Sequence, residues 1–429
     1  MHPAAVARLY LARECGARTA GAGCGGLAHL APSSVHTALI FSPTAASFRT
    51  VAGLPLIQRT VLSAVRGGFD RVVVMRGTAG PRLQQLLACD PRTRDVELID
   101  EPPARVVREG RVAIIPSDYL VTTATLRRLR DAPASARLTI FGAGGGNERL
   151  ILCEAANLAE LDGVLEADGA DLRALGRAET ASFQDELCVR VTDGDSARLA
   201  EARLLAQLRA ATADTDGPIA RLDRSASQWI SRRLVRTPLR PNHITIIGTC
   251  IGLVGAWCLA QGAYALDVLG TALFLCAVII DGCDGEVARL KFQETAFGHT
   301  FDVMTDNVVH VAIFLGLGLG QYRQHPDGHY AVLIGLLLGG FGCAAAAVYW
   351  VFLREPEALH SAPPPRTRRG RVRALLLRGY ESVMNRDFAY LLFGLAVIGR
   401  LHWFFWGAAF GTYVFAASLL CVYRWREVA

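Results

Sequence analysis

The second half of this chain is a series of long apolar segments, and four carboxylates lie among them at helical spacings. Asp281 and Asp284 are three residues apart near the end of one segment, and Asp302 and Asp306 are four apart at the next. Residues three or four apart share one face of a helix, so two neighbouring helices would direct all four carboxylates to one point. Charge is costly beside apolar segments, and like charges repel. The pattern therefore predicts a site for one or two divalent cations.

Apolar segments long enough to cross a bilayer begin at His243. They predict six spanning helices, because the last segment is long enough for two short spans with a break near 399–402. The predicted segments are His243–Gly262, Tyr264–Ala288, Val303–Leu319, Tyr330–Leu353 and Phe388–Tyr423. Arginines cluster before the first segment, after the fourth and after the last. The positive-inside rule then places both termini and the carboxylates on the cytoplasmic side of the inner membrane.

An eight-position pattern contains these carboxylates: D-x2-D-G-x2-A-R-x8-G-x3-D-x3-D, from Asp281 to Asp306. It matches the signature of the CDP-alcohol phosphotransferases without a departure, and the chain therefore resembles that family. The segment Arg240-Pro-Asn-His-Ile-Thr245 is similar to the entry of the first helix in the same family. The resemblance implies an integral-membrane enzyme that moves a substituted phosphate group from a CDP-alcohol to an acceptor hydroxyl and releases CMP.

The resemblance also implies roles for single residues. Two ions, Mg²⁺ or Mn²⁺, would clamp the pyrophosphate of the donor, and their ligands would be Asp281, Asp284, Asp302 and Asp306. Asp306, the last acid on its helix face, is the candidate general base, or it shares a metal ion with the others. The candidate donor-binding residues are Gly285, Ala288, Arg289 and Asn242. Asn242 could instead cap its own helix.

The donor and acceptor alcohols stay open at this stage. An inositol phosphate or another phospho-polyol, a glycerol phosphate, and a lipid donor such as CDP-diacylglycerol are all compatible with the sequence. The family often forms homodimers, so a homodimer is expected. A scaffold protein would be expected to have lost an aspartate, and a transporter would carry its acids at mid-membrane. A nucleic-acid partner is not expected, because no basic stripe is interleaved with aromatic residues.

Residues 35–212 alternate between strand-like and helix-like runs and predict an α/β, Rossmann-like soluble domain. The predicted strands are Thr37–Phe41, Arg71–Met75 and Val112–Ile115, and the predicted helices are Pro55–Gly67 and Ala197–Ala210. The order of elements resembles the sugar-nucleotide and inositol-phosphate nucleotidyltransferases, with Asp118 where that family keeps a metal-binding aspartate. Fused to the membrane half, it resembles the bifunctional inositol-phosphate cytidylyltransferase and di-myo-inositol phosphate phosphate synthases.

Two departures indicate that this soluble domain is degenerate. The stretch Ser42–Arg49 has no glycine, whereas a glycine-rich loop lets backbone N–H groups approach a triphosphate. Lys291 is the only lysine of the chain, so the domain also lacks the lysine of that family. Residual cytidylyltransferase activity remains the alternative. The turn Gly142–Asn147 is a possible substitute phosphate loop, although a plain turn is the simpler interpretation.

Two further segments complete the predicted organisation. Residues 1–34 lack a continuous apolar core before a cleavage site, so we expect a disordered leader and no secretory signal. Residues 213–242 precede the transmembrane domain at 243–429. In them Leu222, Trp229, Ile230 and Leu234 recur at near-helical spacing among arginines. This pattern predicts an amphipathic helix on an anionic membrane surface.

Overall fold

The computed structural model describes residues 36–41, 43–132, 138–142, 150–159, 178–182, 188–213, 218–326, 329–354 and 387–427. The chain divides into two compact units, of which unit 1 ends at Ala211 and unit 2 begins at Thr212. The predicted leader, residues 143–147 of the glycine-rich turn and the arginine-rich loop after the fourth apolar segment lie outside the described residues. The finer division into leader and juxtamembrane helix stays a prediction.

Unit 1 is an α/β unit, as predicted. Its described strands are β1 (His36–Ile40), β2 (Thr50–Val51), β3 (Leu54–Pro55), β4 (Arg71–Met75), β5 (Glu97–Ile99), β6 (Arg111–Ile115), β7 (Tyr119–Val121), β8 (Leu138–Gly142), β9 (Leu150–Glu154), β10 (Ala178–Ser182) and β11 (Cys188–Arg190). Its described α-helices are α1 (Leu56–Gly67), α2 (Gly80–Ala88), α3 (Pro103–Val106), α4 (Thr123–Asp131) and α5 (Gly194–Ala213).

The main sheet of unit 1 joins seven of the described strands in the order β10-β8-β9-β6-β1-β4-β5. The central strand β1 pairs in parallel with β4 and β6, and β9 is antiparallel to β6 and β8. Side chains alternate between the two faces of a strand. Accordingly Ala38 and Ile40 enter one apolar core and Leu39 enters the other. A strand that is buried on both faces reads as a continuous apolar run, which is why β1, β4 and β6 were predictable.

Unit 2 is helical over its described residues. Its helices are α6 (Pro218–Leu234), α7 (Pro241–Ala260), α8 (Tyr264–Lys291), α9 (Ala296–Gln324), α10 (His329–Arg354), α11 (Asp387–Val397) and α12 (Leu401–Glu427). Within the described ranges, three helices are long and apolar enough to cross a membrane, namely α7, α8 and α9. The break near 399–402 lies where it was predicted, with Gly399 at φ +67° between α11 and α12. The count of six spans stays a prediction.

The third apolar helix begins earlier than predicted, at Ala296 and not at Val303. The physical reason is a cap: the Thr295 side chain accepts a hydrogen bond from the backbone N–H of Gly298 at 2.9 Å. Such a cap satisfies an N–H group that the first helical turn leaves unpaired. Hydropathy misses this start because the first turns of α9 are polar. As a consequence, Asp302 and Asp306 both lie within α9.

Glycines allow α7 to approach α8 and α9 at backbone distance. A Cβ atom on Gly255 would lie 2.8 Å from the Gly270 carbonyl oxygen, and one on Gly316 would lie 2.3 Å from the Ala256 carbonyl oxygen. Small residues at helix crossings are the usual means of close packing between apolar helices. These crossings hold α8 and α9, which carry the carboxylates, against a common neighbour.

The described apolar residues of α6 have different surroundings. Ile230 and Leu234 pack against a buried cluster that contains Ile244, Cys283 and Val287. Trp229 is 60% exposed, and the Arg233 guanidinium lies 3.7 Å from the centre of its ring. Adjacent residues on a helix point about 100° apart, so Trp229 can stay exposed while Ile230 packs inward. Of the predicted lipid-facing residues, Ile230 and Leu234 therefore serve packing within unit 2, and the side chain of Leu222 lies outside the described ones.

Candidate active site

Three of the four predicted carboxylates meet in the structure. Asp281 from α8 and both Asp302 and Asp306 from α9 each offer an oxygen atom, and these oxygens lie within 4.8 Å of one another. All three residues are partly buried. Carboxylates this close repel one another unless a cation lies among them, and carboxylate oxygens are the ligands that hard divalent cations prefer. The trio is thus a candidate metal site.

Asp284, the fourth carboxylate, does not join this trio. It is buried, with 6% of its surface exposed, and it accepts a hydrogen bond from the Thr245 hydroxyl of α7. Its charge still lies close enough to Asp302 for the two carboxyl groups to interact. Asp284 therefore lies beside the trio, and its carboxylate is hydrogen-bonded to Thr245 of α7.

A buried oxygen without a partner supports the fit of a cation. Asp302 Oδ1 is buried and has no hydrogen-bond partner among the described residues. A buried charged oxygen without a partner costs free energy, and binding of a cation would remove that cost. The residues present fit a divalent metal ion, held by Asp281, Asp302 and Asp306, with Asp284 next to them.

A cavity of about 220 Å³ opens beside the carboxylates. One water molecule needs only about 10–15 Å³ by the same measure, so the cavity can hold a ring-sized molecule. Asp281 and Asp306 reach it, and Asp302 is not among its lining residues. The other lining residues come from α7, α8, α9 and α11: Thr245, Gly248, Thr249, Phe274, Ala277, Val278, Val309, His310 and Phe388.

The candidate donor-binding residues lie around the same helix ends. Arg289 is exposed, and its guanidinium passes beside Gly285, where a Cβ atom would lie 3.4 Å from Arg289 Nη1. Ala288 is buried. Asn242 does not cap α7, because Arg240 holds the cap position and no side chain caps that end. Its amide oxygen lies instead beside Gly298 of α9, 3.4 Å from the position of a Cβ atom there.

Three features of this site were not predicted from the sequence. The Ser227 hydroxyl of α6 donates to Glu286 Oε1 at 2.8 Å, which ties α6 to the signature segment. Lys291 Nζ donates to the carbonyl oxygens of Thr237 and Leu239 at 2.7 and 3.0 Å, which fixes the end of α8. His310 lines the cavity one turn beyond Asp306. Ser227 and Lys291 are single polar residues in apolar or arginine-rich runs, with no spacing to mark them, whereas His310 continues the four-residue spacing of the α9 carboxylates.

In unit 1, the predicted metal-binding Asp118 and two other polar residues, Ser47 and Arg59, are engaged by neighbouring protein atoms. Asp118 pairs with Arg190 at 2.7 Å. The Ser47 hydroxyl, from the loop that lacks glycine, donates to Ser117 Oγ at 2.9 Å. Arg59 is buried and donates to the carbonyl oxygens of Val51 and Ala52, and burial lowers its pKa to about 10.

Comparisons with known proteins add to this geometry. Residues 239–376 match the family of CDP-alcohol phosphatidyltransferases. The bifunctional IPC transferase and DIPP synthase of Rubrobacter xylanophilus is 28% identical over 339 residues, which cover 67% of this chain and 76% of the relative. The archaetidylinositol phosphate synthase of Methanothermobacter thermautotrophicus is 32% identical over 105 residues, 24% of this chain and 51% of that relative.

Among solved structures, a nucleotidyl transferase from Methanothermobacter thermautotrophicus is similar to 40% of this chain and 99% of its own, with 16% identity and a TM-score of 0.32. The match to the Rubrobacter protein extends into unit 1, because unit 2 is only about half of the chain. The resemblance expected from the eight-position signature is therefore confirmed. The C-terminal part of the chain, at residues 239–376, is a CDP-alcohol phosphatidyltransferase domain.

Proposed function

We propose that this membrane enzyme transfers a substituted phosphate group from a CDP-alcohol to a hydroxyl of a phosphorylated polyol of the inositol-phosphate type. The observation that carries the proposal is the carboxylate trio beside a ring-sized cavity. The names of two relatives, a DIPP synthase and an archaetidylinositol phosphate synthase, support the acceptor class. The proposed donor is CDP-inositol and the alternative donor is CDP-diacylglycerol. The experiment below compares these two donors.

The reaction forms one bond and breaks one. The acceptor oxygen bonds to the phosphorus next to the donor alcohol, the bond from that phosphorus to the CMP oxygen breaks, and CMP leaves. Asp306 takes the proton of the attacking hydroxyl, because it is the α9 carboxylate that reaches the cavity. Arg289 contacts a donor phosphate, since a guanidinium offers a fork of N–H donors to phosphate oxygens. Gly285, Ala288 and Asn242 shape the donor side of the site.

Asp281, Asp284, Asp302 and Asp306 are the proposed ligands of two divalent ions, Mg²⁺ or Mn²⁺. Such ions, when bound, neutralise the pyrophosphate and stabilise the leaving group. We propose that the protein lies in the inner membrane as a homodimer, with the carboxylates on the cytoplasmic side. The arginines before α7 support this orientation. Unit 1 is proposed to be a nucleotidyltransferase-like domain without cytidylyl transfer.

The test uses the purified full-length chain in detergent with Mg²⁺. CDP-inositol and CDP-diacylglycerol are offered in turn as donors, with myo-inositol 1-phosphate, glycerol 3-phosphate or serine as acceptor, and CMP release is followed. We expect CMP release from CDP-inositol when myo-inositol 1-phosphate is the acceptor. We expect Asp306→Asn to abolish it, because an amide cannot take the proton, while the variant stays folded.

Asp267→Asn is the matched control. Asp267 is a buried carboxylate near the opposite end of α8, where it accepts a hydrogen bond from Gln324. This substitution should leave CMP release close to the wild-type rate. Turnover retained in Asp306→Asn would refute the role of Asp306 as base, and absence of CMP release in the wild type with every pair would refute the proposed function.

A further inference from the structure

His310 extends the row of acidic residues on α9 by one turn. Asp302, Asp306 and His310 follow one another at intervals of four residues, so they lie along one face of the helix. His310 also lines the cavity that Asp306 reaches. We propose that His310 is an acceptor-binding residue, whose Nε2 accepts a hydrogen bond from a second hydroxyl of the acceptor alcohol. This inference rests on the proposed function and deepens it.

The hydrogen bond that the ring already makes determines which nitrogen faces the acceptor. His310 Nδ1 lies 2.7 Å from the backbone oxygen of Asp306. A carbonyl oxygen can only accept, so Nδ1 carries the proton. In the neutral ring Nε2 is then the acceptor atom, and no partner for it occurs among the described residues. A hydroxyl group is the matching donor.

Two aromatic rings hold the imidazole in place. Phe274 of α8 meets it edge-on, with ring centres 5.8 Å apart, and Phe388 of α11 lies 5.4 Å away at a tilt. Aromatic contacts at these distances are favourable and directional. The position of Nε2 is thus set by three helices, and a bound hydroxyl can be selected by its position.

The spacing and the walls of the cavity indicate what kind of alcohol fits. Asp306 and His310 are one turn apart, about 6 Å along the helix axis. An acceptor whose reacting hydroxyl meets Asp306 must therefore carry a second hydroxyl within reach of His310. Phe274, Val278, Val309 and Phe388 supply apolar walls for the C–H faces of such a molecule. A ring polyol meets both conditions, whereas serine offers a single hydroxyl.

The test compares acceptors that differ by one hydroxyl. The full-length wild type, His310→Phe and His310→Asn are assayed for kcat/KM of CMP release with myo-inositol 1-phosphate and with its monodeoxy analogues. We expect the wild type to lose roughly tenfold on one analogue, about the worth of one hydrogen bond. Both variants should lose as much on the parent acceptor and should no longer distinguish it from that analogue. A purely structural defect would instead lower all acceptors alike and keep the ratio.

Asn307→Ala is the matched control, because Asn307 follows Asp306 on the exposed side of α9 and bonds only the Val303 carbonyl. It should keep the wild-type ratio between parent and analogue. His310→Asn covers the case in which a phenylalanine ring does not fit beside Phe274 and Phe388, since asparagine is smaller and cannot reach as far. An active wild type that treats all analogues alike, or variants that keep the discrimination, would overturn the inference alone. A wild type that releases no CMP with any donor and acceptor contradicts the proposed function as well.

Discussion

The hydroxyl of Thr245 on α7 donates a hydrogen bond to a carboxylate oxygen of Asp284 on α8. Thr245 is 5% exposed and lines the cavity, so this bond joins the wall of the cavity to a predicted metal ligand. It also explains why Asp284 stands beside the carboxylate trio and not within it. Partners that orient a metal ligand are often nearly as important as the ligand.

Thr245→Val should therefore weaken the binding of the divalent cation. Valine keeps the shape of threonine and removes the donor, which leaves Asp284 without its orienting bond. We expect the Mg²⁺ concentration for half-maximal CMP release to rise about 10- to 100-fold. Thr271→Val is the control: Thr271 is equally buried on α8, but its hydroxyl bonds only backbone carbonyls of its own helix. Equal Mg²⁺ dependence in both variants would contradict the role of Thr245.

Removal of divalent cations should stop the reaction and lower the thermal stability of unit 2. A ligand that binds only the folded state stabilises it in proportion to the logarithm of its concentration over Kd. We expect a chelator to abolish CMP release, and excess Mg²⁺ or Mn²⁺ to restore both the activity and the Tm. In Asp302→Asn the Tm should no longer respond to the cation. A Tm of that variant that still rises with Mg²⁺ would show that Asp302 is not a ligand.

The close crossing of α7 and α9 predicts different outcomes for two helical glycines. Gly316→Ala places a methyl group 2.3 Å from the Ala256 carbonyl oxygen, so the helices must separate. Overpacking of this kind costs about 1–3 kcal/mol. A Cβ atom on Gly335 of α10 would lie more than 4 Å from its neighbours among the described residues, so Gly335→Ala should be neutral or slightly stabilising. Thermal unfolding of both variants checks the difference, and a Tm of Gly316→Ala at or above the wild type would contradict it.

Unit 1 should not transfer cytidylyl groups. Asp118 is neutralised by Arg190, and both Ser47 and Arg59 are engaged by neighbouring protein atoms. We expect no pyrophosphate release from CTP with myo-inositol 1-phosphate and Mg²⁺. Asp118→Ala should leave CMP release unchanged, whereas Arg190→Ala should destabilise unit 1 by about 1–3 kcal/mol, because it leaves a buried carboxylate unpaired. Pyrophosphate release that is lost in Asp118→Ala would show an active nucleotidyltransferase.

The stability of unit 1 should depend on Asp90 in acid. Hydrogen bonds from the Arg92 side chain hold the pKa of the Asp90 carboxyl below its ordinary value, and Gln58 adds another. A depressed pKa contributes stability that is present above the unfolded value of about 3.9 and is lost as the pH falls through the folded value. Asp90→Asn should thus lower the Tm at pH 7 and make little difference near pH 2. Asp95→Asn, at an exposed site, is the control, and a pH-independent effect of Asp90→Asn would argue against this linkage.

The signature and the central strands could be predicted because each depends on local periodicity. The apolar runs of β1, β4 and β6 are buried on both sheet faces, and the carboxylates of α8 and α9 repeat at helical spacing. The bond between Thr245 and Asp284 could not be predicted, because it joins residues 39 positions apart through the crossing of two helices. His310 continues the four-residue spacing of Asp302 and Asp306, but the sequence does not show that its ring lines a cavity. For α6, hydropathy assigns Trp229 and Ile230 to the same apolar pattern. Only the structure shows that Ile230 packs inward and Trp229 is exposed.

The lengths of α8 and α9 bear on how substrates reach the carboxylates. These helices have 28 and 29 residues, about 42 Å each, whereas the hydrocarbon layer of a bilayer is about 30 Å thick. Asp302 lies six residues, about 9 Å, from the start of α9, and a helix of this length exceeds the hydrocarbon layer by about 12 Å, so Asp302 would lie in the headgroup region if the excess is at this end. Water-soluble nucleotides and lipid headgroups share that layer. In that position a charged pyrophosphate could arrive from the aqueous side without crossing the hydrocarbon layer, and an alcohol from either phase could reach it.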